Sequence, residues 1–87
     1  MSRLVLHRRA AKYLGSLPKP QKERVKTALQ QLANAPTVYP GLIHMAGEWS
    51  GYFRIRIGQI RVIFWLDDMA DIIYVDYIGS RGDVYKR

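Results

Sequence analysis

The stretch YFRIRIGQIRVIF, Tyr52 to Phe64, sets three arginines among alternating apolar residues. Guanidinium groups stay charged and bind phosphate bidentately. Arg54, Arg56 and Arg61 therefore suit a site that clamps a phosphodiester and stabilises charge building on its oxygens. RNA brings its own nucleophile, the 2′-hydroxyl, so such a site need only orient that group, assist proton transfer and neutralise the phosphoryl oxygens. The products would be a 2′,3′-cyclic phosphate and a 5′-hydroxyl. The alternative is a solvated sheet face whose arginine stems lie over Tyr52, Trp65 and Tyr74. An imidazole pair is not expected to assist, because His7 and His44 both precede the sheet and read as structural. The chain has no cysteine, and Asp67, Asp68 and Asp71 crowd one loop without a metal-binding pattern. The residues thus predict no metal and no cofactor.

The elements that position the arginines follow from alternation. Gly58 and Gln59 form a two-residue turn of type II′, which pairs Ile57 with Ile60, Arg56 with Arg61 and Arg54 with Ile63. Phe53, Ile55, Ile57, Ile60, Val62, Phe64 and Leu66 then share an apolar face, and the arginines share the other. Arg56 opposite Arg61 is unfavourable by roughly a few tenths of a kcal/mol, which a counter-anion would relieve. A four-residue loop from Asp67 to Ala70 continues the pairing so that Arg61 meets Asp76, Ile63 meets Tyr74 and Val62 meets Val75. Asp76 is then expected to hold Arg61. Ile73, Val75 and Tyr77 go to the core, and Ile72, Tyr74 and Asp76 to the arginine face. An odd loop would reverse this assignment.

The rest of the chain supplies a second layer. RLVLHR reads as a short strand from about Arg3 to His7. Ala10, Tyr13, Leu14 and Leu17 recur at helical spacing before Pro18, and Val25, Ala28, Leu29 and Leu32 line a second helix that Asn34 and Pro36 close. GLIHM is a possible short strand between breakers, and Tyr52–Ile57, Ile60–Leu66 and Asp71–Gly79 form a three-strand meander. The fold class is α+β: an N-terminal strand and a two-helix hairpin packed on one face of a mostly antiparallel sheet. Residues 1–87 are expected to form one domain, since the chain is too short for a second core. No apolar run approaches the roughly 18 residues of a membrane span, and no signal sequence is evident, so the expectation is a soluble cytoplasmic protein with no membrane partner. The formal charge of +7 favours a polyanionic partner, with nucleic acid first and an acidic protein second.

The ending SRGDVYKR adds Arg81 and Tyr85. Taken with YFRIRIGQIRVIF and the strand ending in IGS, this segment resembles the RelE-like toxins of type II toxin–antitoxin pairs. The resemblance runs over nearly the whole chain, from strand and helical hairpin with its LP break to meander and terminal arginine–aspartate–valine–tyrosine. It implies a ribosome-dependent endoribonuclease that cuts mRNA in the ribosomal A site, silenced by a RelB-like antitoxin. On that resemblance Arg61, Arg81 and Tyr85 are catalytic, and Arg54 and Arg56 bind RNA phosphate. Lysines often stand at these last two positions in the family, so arginine keeps the charge and changes the geometry. Tyr85 takes the role of base on the 2′-hydroxyl, or stacks on a nucleobase, and Arg81 that of leaving-group acid or stabiliser. Free tyrosine titrates at about 10 and arginine above about 12, so both are poor at neutral pH and the reaction needs the ribosome to hold its substrate. The related ParE-like toxins, which inhibit DNA gyrase and generally lack the catalytic set, are the alternative.

Overall fold

The structure is a computed structural model, and residues 2–80 of it are described. Its elements run β1 (Arg3–Leu6), α1 (Arg8–Ser16), α2 (Lys19–Asn34), β2 (Ile43–His44), a 3-10 turn (Gly47–Trp49), β3 (Phe53–Ile57), β4 (Ile60–Asp67) and β5 (Ile72–Gly79). The five strands form one sheet in the order β1-β5-β4-β3-β2. β1 lies parallel to β5, and the other pairings are antiparallel. This is the expected α+β architecture, with the GLIHM segment contributing the short edge strand β2.

Local chemistry explains the helix ends. The His7 side chain caps α1, its Nδ1 accepting from the Arg9 backbone N–H at 3.1 Å. An extended Leu17 stops α1 before Pro18. Pro20 sits in the first turn of α2, where its missing N–H costs nothing. Ala10 and Leu14 of α1 and Val25, Leu29, Leu32 and Ala33 of α2 pack onto Ile55, Ile60, Val62, Phe64, Ile73, Val75 and Ile78 of the sheet. Phe64 is fully buried, a burial worth about 1.5–3 kcal/mol relative to exposure.

The β3–β4 hairpin has the expected register: Arg56 opposite Arg61, Arg54 opposite Ile63 and Ile57 opposite Ile60. Gly58 has φ of 63°, while Gln59 is not in the left-handed region, as a type II′ turn requires.

The β4–β5 register corrects the expectation. β4 runs one residue further, so the turn spans Asp68 to Asp71 and closes on Asp67 opposite Ile72. The Asp67 carboxylate accepts from the Ala70 N–H at 3.1 Å, and Asp71 adopts a φ of 57°, a conformation aspartate tolerates. A β-bulge at Ile63/Phe64 then leaves Asp76 as the extra residue on β5. The resulting pairs are Arg61 with Gly79, Val62 with Ile78, Ile63 with Tyr77 and Trp65 with Tyr74. Past the bulge the alternation is displaced: Ile78 enters the core, and Tyr77 turns to the arginine face.

Arg9 of α1 pins the bulge. Its Nε donates to the Asp76 backbone carbonyl at 2.9 Å, and its Nη2 pairs with the Asp76 carboxylate at 2.9 Å. A bulged residue loses its place in the ladder, and Arg9 satisfies the carbonyl so freed. Asp76 is thus the partner of Arg9, and the expectation that it would hold Arg61 is overturned.

Candidate functional site

The face of the sheet away from the helices carries the candidate site. Strand alternation brings Arg54 and Arg56 of β3 and Arg61 of β4 to this one face, as the sequence predicts. Arg56 is exposed, while Arg54 and Arg61 are half-buried. Arg61 donates from Nη1 to the Ser80 carbonyl at 3.3 Å, a long bond that steers the guanidinium weakly. Its Nε–H is buried without a hydrogen-bond partner among the described residues. Arg81 and Tyr85 lie outside the described residues.

Between the charges runs an apolar strip. Ile63 stands between Arg54 on β3 and Tyr77 on β5 and is fully buried, although it faces away from the helical core. Below it Trp65 and Tyr74 stack on each other, ring centroids 4.4 Å apart at 15°. The Tyr52 ring meets Trp49 edge-on at 4.9 Å. The aromatic residues considered as platforms for arginine stems thus each have an aromatic partner.

Tyr77, like Asp76, is a residue that sequence reasoning misplaced. It lies on the arginine face opposite Ile63, and its ring runs along β5 across Gly79. The signal available in the sequence was Tyr77 two positions before a strand glycine, a spacing that lets an aromatic ring lie flat over bare backbone.

Chemically, the arrangement is a cationic surface with an aromatic border, fit to hold a polyanion by paired charge and to touch its bases by ring contact. Comparison with known proteins gives this surface its family. The model describing the ParE toxin of the type II toxin–antitoxin system parDE matches residues 4–85. The chain belongs to that toxin family, within the RelE/ParE superfamily. Among solved structures, the archaeal RelE–RelB complex from Pyrococcus horikoshii OT3 is similar with 26% identity and a TM-score of 0.79, over 94% of this chain and 97% of that one. The toxin–antitoxin complex RelBE2 from Mycobacterium tuberculosis shares the fold at 21% identity and a TM-score of 0.77, over 92% and 98%. The isolated RelE toxin of E. coli does so at 19% identity and a TM-score of 0.76, over 98% and 92%. No curated protein matches. The chain is a RelE-like toxin of a type II toxin–antitoxin system, and among the described residues no helix is long and apolar enough to cross a membrane.

Proposed function

We propose that this toxin is a ribosome-dependent endoribonuclease, an mRNA interferase that acts in the cytoplasm on mRNA in the ribosomal A site. The observation that carries the reading is the direct opposition of Arg56 and Arg61, with Arg54 beside them, on one sheet face. Like charges directly opposed across two strands repel each other, and a phosphate between them turns the repulsion into a clamp.

In the reaction the 2′-oxygen attacks the adjacent phosphorus and the bond from phosphorus to the 5′-oxygen breaks. Negative charge grows on the non-bridging oxygens as the phosphorus gains its fifth ligand. Arg54, Arg56 and Arg61 act there, binding the transition state more strongly than the ground state. The 2′-hydroxyl proton passes to the phenolate form of Tyr85, which neighbouring arginines favour, and the departing 5′-oxygen takes its proton from Arg81 or from water while Arg81 stabilises its charge; both roles rest on the sequence resemblance. The ribosome holds the mRNA in reactive geometry, which offsets two groups poorly matched to neutral pH. A RelB-like antitoxin is the silencing partner, a reading supported by the similarity to a RelE–RelB complex.

The ParE description of the matching family supports a second reading, inhibition of DNA gyrase without RNA cleavage. Induced expression in growing cells separates the two. Translation arrest with discrete mRNA ends is the expected result for the nuclease. DNA damage with intact mRNA would assign the gyrase inhibitor instead.

A further inference from the structure

The bulge that releases Asp76 to Arg9 places a phenol beside the arginine cluster. Gly79 is the direct cross-strand partner of Arg61. A Cβ built at Gly79 would collide with the Tyr77 hydroxyl and with the ring carbon Cζ that bears it, 2.5 Å away, and lie 3.1 Å from Cε1. The Tyr77 hydroxyl therefore occupies the place where a side chain opposite Arg61 would begin. Arg56 stands opposite Arg61 on the other side. One row thus crosses three strands: the Arg56 side chain, the Arg61 side chain and the Tyr77 hydroxyl. Directly opposed positions in a sheet are roughly 4.5–5.5 Å apart, so one phosphate can be reached by adjacent members of such a row.

We propose that Tyr77 is a further substrate-contacting residue, whose hydroxyl donates a hydrogen bond to a non-bridging oxygen of the phosphate held by Arg61, and that Gly79 is the bare backbone that lets it lie there. This rests on the nuclease reading and deepens it. The contact transfers no proton. It adds a neutral donor to a cationic clamp, aimed at an oxygen whose charge rises during the reaction, so its contribution falls on the chemical step more than on binding. The bulge supplies the geometry. Without the extra residue, Tyr77 would follow the alternation of Ile73 and Val75 into the core.

The test measures mRNA cleavage on programmed ribosomes under single-turnover conditions. Tyr77→Phe keeps the ring and is expected to slow cleavage about 10- to 100-fold, the range of one hydrogen bond to a charged acceptor. Its half-saturating toxin concentration should be unchanged. Gly79→Ala, which displaces the hydroxyl together with the ring carbon Cζ that carries it, should slow cleavage similarly in the wild-type background and by a clearly smaller factor in the Tyr77→Phe background, where the ring still clashes but the hydroxyl is already gone. A purely structural role would instead give losses that add and that track the melting temperature. Wild-type rates for Tyr77→Phe would overturn the proposal. So would a Gly79→Ala loss of equal size in both backgrounds, or a loss in Tyr77→Leu alone, which would reassign the ring as an apolar contact. The nuclease reading is judged separately by wild-type cleavage and its loss in Arg61→Ala; no wild-type cleavage would overturn both.

Discussion

Arg56 and Arg61 face each other as a direct cross-strand pair, two like charges where a hairpin gains from opposite ones. A position kept in this state by the fold is held against its own local stability, and the sheet around it supplies the difference through the apolar partners Ile57 with Ile60 and Ile55 with Val62. Relief of the repulsion and loss of the clamp should therefore occur together on mutation.

Arg56→Thr is expected to raise stability by about 0.2–1 kcal/mol, since it replaces a like-charge pair with a strand-favouring residue. It should weaken ribosome-dependent cleavage at the same time. Thermal melts alongside cleavage assays check both, and opposite signs for the two effects are the expected signature. Arg61→Ala should lower the cleavage rate on the order of a hundredfold or more, with a small change in melting temperature. A large drop in melting temperature would make Arg61 a structural residue.

Asp76→Ala removes the carboxylate that Arg9 grips at 2.9 Å. Arg9 is about half exposed, with 52% of its side-chain surface accessible, so the expected cost is about 0.2–1 kcal/mol. Cleavage should be little changed, because Arg61 does not depend on this acid and Arg9 still holds the bulge through the Asp76 backbone carbonyl, which the substitution leaves in place. Loss of cleavage with an unchanged melting curve would restore Asp76 to the site.

Tyr85→Phe removes one hydroxyl from the terminal segment. On the proposed chemistry it should slow cleavage while leaving ribosome binding nearly intact, as followed by cosedimentation with ribosomes. An equal loss of binding would argue for a stacking or anchoring role.

The antitoxin makes a fourth case. A chain of net charge +7 with three arginines on one sheet face should attract an acidic segment that folds on binding and covers Arg54, Arg56 and Arg61 or displaces the segment carrying Tyr85. Complementary charge speeds that association, and apolar contacts hold it, so the complex should survive salt that strips non-specific RNA. Coexpression with the product of the neighbouring small gene and purification in high salt tests this. No complex, combined with harmless expression of the toxin alone, would contradict it.

The hairpin carrying the arginines was legible because strict alternation on both sides of Gly58 and Gln59 leaves one register that buries Ile55, Val62 and Phe64 together. The next pairing was not. Its turn starts one residue later than the sequence suggests, and its bulge is stabilised by Arg9, 67 positions away from Asp76. Nothing local to β5 announces a partner that distant. The error at Tyr77 follows from that single inserted residue, since every side chain beyond a bulge changes its phase. Burial of Ile63 on the outer face was hidden for a related reason: alternation assigns a residue to a face and is silent on what covers that face.

The parallel pairing of β1 with β5 carries a consequence for the order of assembly. Ser2 and Asp71 bond across 69 positions of chain, and β5 lies between β1 and β4 in the sheet. During synthesis β1 emerges first and must wait, unpaired, until the last strand of the described fold has been made. Closing so long a loop is slow, and the strand β5 brings the neighbours of both β1 and β4 at once. The sheet is therefore completed late and in one step. A nascent chain therefore lacks the β5 positions beside Arg61 until every other described strand has been made.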